Sequence, residues 1–529
     1  MRILRILPGA FASRGWAPAL ILCLAAAGLL VPTPAVAGDD SFSVQLRAAE
    51  TRARQRLAAT ERGAAPRRYA YYTVGDGWKY TGPAGWAAGF VPGGLWSCYQ
   101  ATGREWWRDA ATGRQAAIGA SRVTADSLNS GALFFPTYVR AYRLTGKERF
   151  RRKAVQAATS MAQRFDPDVG AMLSRPAGDF NVIIDSLMKS QLLWWAARNG
   201  GSPELAAIAR RHARTTARDF LRPDGSTYHI VRYDAETGAV LERGQSSGYD
   251  AESTWARGQA WAILGFAAAY RQAPEPEFLF AARAVSDWYL GHLPADLVPY
   301  WDFGDPAIPE APRDSSAAAI AASGLLDLAL LDPDPERRER YEAAARETLS
   351  ALLSADYASL GANPAVLLQG TYLWRTGITD RGLAFGDAFF LEAMLRLRRL
   401  QPDATPLTIK RVRAARGIAA AAVDGDPTTR WSSRGRVALD VRLTGLREVG
   451  AVRVAIAGGD RRAAKLRILV SANGRSWRLA RQTMTSGEAK GFETFSFSRR
   501  PARWVRLQCY GTTTGSINRI AEIEVYPAF

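Results

Sequence analysis

Cysteine and histidine are scarce in this chain, three of each in 529 residues. Cys23 lies near the N-terminus, and Cys98 and Cys509 are separated by almost the whole length of the chain. There is no CxxC pair, so no zinc site is visible; Cys98 and Cys509 are expected to be buried thiols rather than a disulfide. Acidic residues are also in deficit: 50 Asp and Glu against 69 Lys and Arg leave a net charge of +19. Long hydrophobic runs are missing apart from Ala19–Val31, which is too short to span a bilayer comfortably. Arg2, Arg5 and Arg14 precede that run and Ala35-Val36-Ala37 follows it, the pattern of a secretory signal peptide over residues 1–37. Export to the periplasm or the extracellular space is therefore expected, with no integral membrane segment after signal removal; an uncleaved anchor is the alternative.

Aromatic residues are plentiful, with 16 Trp, 18 Tyr and 20 Phe in a chain that is 47% apolar, which excludes disorder as the main state. The length suggests two to four domains. The charge is uneven: residues 401–529 hold 23 of the Lys and Arg and 10 of the Asp and Glu, or +13 of the +19. That excess suits an anionic partner, or is simply a soluble Arg-rich surface.

Two textures divide the chain. Over 67–400, apolar residues recur at helical spacing in Leu133–Leu144, Leu187–Ala197, Ala260–Tyr270, Ala317–Leu330 and Ala388–Leu397. Several of these stripes are followed by a polar turn and a second amphipathic helix, so the region reads as repeated helical hairpins. Such hairpins stack as a solenoid or close into a toroid, and Ala260–Tyr270 and Ala317–Leu330 are poor enough in charge to belong to an inner ring. Residues 401–409 read as a linker. Beyond it, Val437–Val441, Val452–Ile456, Leu466–Val470 and Trp504–Leu507 alternate as strands, which predicts a β-sandwich over 410–529.

Three polar constellations interrupt the helical region. Asp185 follows three apolar residues and precedes an apolar helix; it is either a desolvated carboxyl whose raised pKa suits a general acid, or a plain helix cap. Trp255 and Arg257 stand at the start of an inner helix, either as an indole and guanidinium platform for a sugar carboxylate or as a packed structural pair. Arg222–His229 leads into them. Asp314 and Ser315 read chiefly as caps of the helix that follows.

Taken in order, these residues resemble family 88 of the glycoside hydrolases, the unsaturated glucuronyl hydrolases. The resemblance is carried by Trp86-Ala-Ala-Gly-Phe with Pro92-Gly-Gly-Leu-Trp96, Asn181–Asp185, Arg222–His229, Trp255–Trp261, Trp301–Phe303, Arg313–Ala322 and Phe385-Gly-Asp387 with Leu391-Glu-Ala393. It implies an (α/α)6 toroid. It also implies removal of a 4,5-unsaturated uronic acid from the non-reducing end of lyase-generated oligosaccharides. In that chemistry an Asp protonates C4 of the vinyl ether, water adds at C5, and the hemiketal collapses, unlike the paired-carboxylate displacement of ordinary glycosidases. By motif position Asp185 resembles the acid/base, and His229, Trp255, Arg257 and Trp86 fall on substrate contacts. No catalytic cofactor is implied.

The chain departs from the family pattern at four places. Asn129 stands where a second Asp is usual, with Asp126 three residues upstream and off the motif. Ser247 replaces a Gln, with Gln245 close by; Lys189 replaces an Asn, and Gln369 a His. Asn129 can hydrogen-bond to substrate but cannot titrate.

Asp424-Gly-Asp-Pro-Thr-Thr-Arg-Trp431, Ser471-Ala-Asn-Gly-Arg-Ser-Trp477, Ala502–Leu507 and Ala521–Tyr526 are similar to a discoidin, or coagulation-factor C-type, domain, close to the family 32 carbohydrate-binding modules. That likeness implies a jelly-roll sandwich binding glycans with loops at one end. It also implies a structural Ca²⁺ near Asp424, Thr429 and Glu522. The expected fold class is thus α + β multidomain, an (α/α)6 toroid followed by a β-sandwich. The expected partner is an acidic oligosaccharide or polysaccharide rather than nucleic acid. Two other classes remain open: a glycan-binding protein with impaired catalysis, motivated by Asn129, and a polysaccharide lyase using Asn129, Tyr228 and His229.

Overall fold

The computed structural model describes residues 41–120, 128–175, 178–400 (without the side chain of Arg399) and 405–527. The signal-peptide stretch, Cys23 and Asp126 lie outside the described residues.

An inner ring is built from helices that are apolar on nearly every side. It comprises α2 (Phe90–Thr102), the rod α4 (Ser130–Phe134) with α5 (Arg140–Thr145), and the pair α7 (Asp185–Lys189) and α8 (Gln191–Arg198). It continues through α10 (Ala256–Gln272), α12 (Ser315–Leu331) and α14 (Ala384–Leu400). Each packs on the next and α14 returns to α2, so the ring closes. The outer helices are α1 (Ser41–Gly63), α3 (Glu105–Ala120), α6 (Glu148–Ala162), α9 (Glu204–Phe220), α11 (Pro276–Gly291) and α13 (Pro335–Leu352). Among the described residues this is the expected (α/α)6 toroid. Its start differs from expectation: α1 buries Leu46, Ala49, Ala53 and Ala58 in the same core, so the toroid begins at Ser41 rather than at 67.

Ring closure needs close approach. A Cβ on Gly324 would lie 2.8 Å from the backbone nitrogen of Leu264, and one on Gly131 would strike the carbonyl of Lys189. Between α4 and α5 the rod relaxes into a π turn, Phe135–Val139, at Pro136, which has no N–H to donate.

Short strands lie between the helices: β1 (Tyr69–Val74) with β2 (Gly77–Thr81), β3 (Phe165–Asp166) with β4 (Ala171–Met172), and a three-stranded sheet β5 (Phe180–Ile183), β6 (Ile230–Tyr233), β7 (Val240–Gly244).

The C-terminal domain is a seven-stranded antiparallel sheet of β8 (Ile409–Ala414), β9 (Trp431–Arg434), β10 (Val437–Ile456), β11 (Ala464–Ser471), β12 (Arg478–Met484), β13 (Phe492–Thr512) and β14 (Ile517–Tyr526). Val437–Val441 and Val452–Ile456, which read as two strands in the sequence, are the two ends of one long strand. Register breaks between Arg442 and Arg447 and between Val449 and Ala451 let β10 and β13 bend together. Both halves then face one core containing Leu439, Val454, Ile468, Leu507 and Ile523, which makes the sheet a sandwich. Cys98 and Cys509 are free and buried, one in each domain.

The sandwich packs at the C-terminal ends of the inner helices. Glu488, in the turn after β12, pairs with Arg143 of α5 and accepts from Gln272 Nε2 of α10 at 3.0 Å. Arg481 of β12 donates to the carbonyl of Gln100 at 3.0 Å. No described helix is long and apolar enough to cross a membrane.

Candidate active site

The opposite end of the ring gathers the N-termini of the inner helices. The small β5–β6–β7 sheet sets the register there. Ile183 pairs with Ile230, and Ile230 pairs with Gly244. One step further out, Ile184 N–H donates to His229 O and His229 N–H to Gly244 O, both at 3.0 Å. Asp185, His229 and Ser246–Ser247, distant in sequence, therefore meet at one sheet edge.

Asp185 is the first residue of α7 and not its cap, the N-cap position being held by Ile184. Its carboxylate is 17% exposed and lies with Oδ2 3.6 Å from His229 Nε2. That oxygen is buried and without a hydrogen-bond partner. His229 is 4% exposed; its Nδ1 lies 2.9 Å from Ser246 Oγ and accepts the backbone N–H of Ser247 at 3.0 Å. A backbone N–H can only donate, so Nδ1 is an acceptor and Nε2 carries the ring proton toward Asp185.

The electrostatics correct one expectation. Burial pushes the Asp185 carboxyl up, but the His229 imidazole facing it and the charge of Lys189 outweigh it, so Asp185 sits below its ordinary range rather than above. Lys189, one turn along α7, is itself buried; desolvation lowers its pKa while Asp185 raises it, with a net lowering.

Trp255 lies with its ring 4.6 Å from that of His229, and the Arg257 guanidinium is 4.5 Å from the Trp255 ring. The structure thus gathers Asp185, His229, Trp255 and Arg257, but corrects the part given to Arg257. It is 3% exposed, paired with Asp314, and donates to the carbonyls of Thr371 at 2.6 Å and Tyr372 at 2.7 Å. Its fork is occupied by protein, so it braces the wall instead of presenting itself to a ligand. Asp314 also caps α12, accepting from Ser316 N–H at 3.1 Å. Trp86 completes the aromatic side: it lies 4.9 Å from Phe385, which also flanks Arg257, and donates to Tyr71 Oη at 2.9 Å.

Asn129 precedes α4, half-buried and making no cap bond through its side chain; two residues on, Gly131 packs against Lys189. Gln245 is structural, donating to the carbonyls of Thr227 and Ser253 at 3.0 and 2.9 Å. Gln369 donates to Asp356 O at 3.0 Å. The lyase trio is not assembled: His229 faces Asp185, while the Tyr228 ring stacks at 3.9 Å on Arg222, whose fork ties together the surrounding loops. Of the groups that orient His229, Ser247 was legible only as a departure from the family pattern and Ser246 was missed.

Among the described residues no group of three His, Cys, Asp or Glu is placed to hold a metal ion. The expected calcium trio does converge. Thr429 Oγ1 lies 2.8 Å from the Asp424 carboxylate, 3.1 Å from Asp426 O and 3.3 Å from Ala421 O, and Glu522 accepts Gly425 N–H at 2.7 Å. Burial raises the Glu522 carboxyl, and the adjacent Asp424 raises it further. Two crowded carboxylates with neutral oxygens around them suit a hard cation.

Residues 61–362 match the family model for Glycosyl Hydrolase Family 88. The chain belongs to this family. Residues 408–523 match the F5/8 type C domain. The helical domain is 37% identical over 328 residues to an unsaturated glucuronyl hydrolase of Bacillus sp. (strain GL1), covering 59% of this chain and 86% of that one. It is 35% identical over 327 residues to an unsaturated chondroitin disaccharide hydrolase of Streptococcus pyogenes serotype M1, covering 59% and 80%. A crystal structure of an unsaturated glucuronyl hydrolase specific for heparin superposes with a TM-score of 0.65 at 31% identity, covering 69% of this chain and 98% of that one. This family 88 chain is accordingly an enzyme of the unsaturated glucuronyl hydrolase type.

Proposed function

We propose that this enzyme is exported and removes the 4,5-unsaturated uronic acid from the non-reducing end of lyase-generated acidic oligosaccharides, with Asp185 as acid/base. The observation that carries the reading is the buried, unpartnered Oδ2 of Asp185, 3.6 Å from His229 Nε2, whose proton Ser247 directs toward it. Asp185 gives its proton to C4 of the vinyl ether. It then takes one from the water that adds at C5, and the hemiketal opens to release the rest of the chain. Asp185 lies below its ordinary range in the free enzyme, and the uronate carboxylate of the substrate supplies the like charge that raises its pKa on binding. Trp255 and Trp86 offer faces for the sugar; Asn129 supplies a hydrogen bond where a carboxylate is usual. The relatives' activities on heparin-derived and chondroitin-derived substrates support an acidic glycan. Export rests on the Arg2–Ala37 pattern.

The unsaturated uronate absorbs in the far ultraviolet, so its consumption is read as falling absorbance on a lyase-digested oligosaccharide. Asp185→Asn is expected to abolish the fall; full activity in that variant sinks the assignment. Rising absorbance on intact polymer would instead identify a lyase.

The same reading places a structural Ca²⁺ at Asp424, Thr429 and Glu522. Calcium is expected to raise the melting temperature of the full chain and EDTA to reverse it, with no shift in Asp424→Ala; a melt indifferent to both removes the site.

A further inference from the structure

The outward face of the sandwich is unlike an ordinary mixed-charge surface. Along β10, β11 and β13 the inward residues, such as Val441, Ile468 and Val505, form the core, so their sequence neighbours face out. Register reads that outer face row by row. Arg411 lies beside Arg442, and Arg442 beside Trp504. In the next row Arg413 lies beside Asp440, and Asp440 beside Arg506. Then Gln508 lies beside Arg467. Tyr510 ends the stripe, with the guanidiniums of Arg436 and Arg467 at 5.5 and 5.4 Å from its ring.

Asp440 is the one carboxylate in these rows. It takes Arg506 at 2.6 and 2.9 Å and Arg413 at 3.3 Å. Arg411, Arg436 and Arg442 have no carboxylate partner among the described residues, and Arg442 Nε is buried with no hydrogen-bond partner. Six guanidiniums on one face with one counter-charge repel each other, where a surface tuned only for solubility would intersperse both signs.

The aromatic rings order these cations. Arg413 lies 4.6 Å and Arg442 5.5 Å from the Trp504 ring, and Arg506 lies 4.0 Å from Trp477. Stacking restrains a guanidinium through its flat face and leaves its in-plane N–H edges for an anion, which is the geometry that carboxylates and sulfates take bidentately. Trp504 and Tyr510 are six residues apart on β13, roughly 20 Å of strand, longer than a single sugar.

We propose that the outer face of β8, β10, β13 and β11 is a polysaccharide-binding surface that takes an anionic glycan, sulfated or uronate-bearing, along the strands. The proposal rests on the reading of the enzyme as acting on acidic glycans, and it places polymer binding on a sheet face rather than on loops at the end of the sandwich. The sandwich sits at the C-terminal ends of the inner helices and Asp185 at the N-terminal end, so polymer held here leaves the active site open. Charge and indole alone would equally suit a single-stranded nucleic acid; the acidic sugars on which the catalytic domain is read to act favour a glycan.

The test uses the full chain on immobilised heparin and chondroitin sulfate, eluted with salt. Arg411→Ser with Arg442→Gln leaves the Asp440–Arg506–Arg413 cluster intact and is expected to weaken retention roughly tenfold, the loss of two charge-assisted contacts at a wet surface. Trp504→Ala, which changes no charge, is expected to weaken it as well. Turnover of an unsaturated disaccharide stays at the parental level in both. Unchanged elution in both variants overturns the proposal, as does displacement by a single-stranded DNA oligonucleotide as effective as free heparin at equal charge. If the parent chain is retained and the variants are not, yet no disaccharide is turned over, the surface stands and the catalytic reading falls.

Discussion

The backbone N–H of Ser247 donates to His229 Nδ1 at 3.0 Å, and this contact decides which way the imidazole proton points. It points the Nε2 proton at Asp185, whose Oδ2 lies 3.6 Å from Nε2. Burial raises the Asp185 pKa, and the positive charge opposing burial comes from Lys189, one turn further along α7.

Lys189 therefore sets the alkaline limb of the pH–rate profile. The acid works only when Asp185 is protonated, and the Lys189 cation lowers the Asp185 pKa. Lys189→Met removes that charge, the Asp185 pKa in the substrate complex rises, and the fall of kcat with increasing pH moves to higher pH. A limb that stays in place or moves down in the variant contradicts this electrostatic account.

Asn129 tests the missing second carboxylate. Asn129→Asp restores the charge usual in the family, and like-charge repulsion raises the pKa of Asp185. Turnover of an unsaturated disaccharide is expected to be kept or increased. A loss of tenfold or more would show that the amide has a role of its own.

Glu488 couples the two domains through Arg143 and Gln272. Glu488→Ala leaves Arg143 without its partner in a largely buried setting and is expected to cost about 3 kcal/mol of interface stability. Scanning calorimetry should then show the melting of the two domains further apart, or broader, than in the parent, with disaccharide turnover retained. A variant that melts as the parent does would mean the contact contributes nothing.

Asp387 of α14 latches the loop between α13 and α14, accepting the N–H groups of Val366 and Leu367, each at 2.9 Å. Burial pushes its carboxyl up to about 7. A folded pKa above the unfolded value means that the folded chain holds this proton more tightly, so the associated stability is present below the unfolded pKa and lost as pH rises through about 7. Asp387→Asn removes that pH dependence between about 4 and 7. It also leaves one N–H unsatisfied, at a cost of about 2 kcal/mol. Urea unfolding of both proteins across this pH range checks slope and offset together.

The inner helices were legible in the sequence because such a helix is buried all round, although the spacing alone left open whether the hairpins stack as a solenoid or close into a ring. Ala260–Tyr270 and Ala317–Leu330 carry almost no charge, and both are inner helices with nearly every residue buried. The start of the toroid was not: α1 is charged on most of its surface and meets the core through a narrow set of small residues and one leucine. In the sandwich, the polar stretch Arg442–Val449 reads as a break between strands, whereas sheet pairing carries the backbone through it as one bent strand.

Composition and spacing alone determined the division into a helical region and a β domain and the excess of cations in the second, because burial and pairing leave periodic marks on a linear chain; the closed ring and the roles around Asp185 came from the resemblance of the sequence motifs to family 88. Only the tertiary structure decided that Arg257 is occupied by Asp314, that Ser247 fixes the His229 tautomer, and that Asp185 lies below rather than above its ordinary pKa. Each depends on distances between groups tens of residues apart in the chain, and electrostatic and hydrogen-bond energies follow distance in space, not separation in sequence.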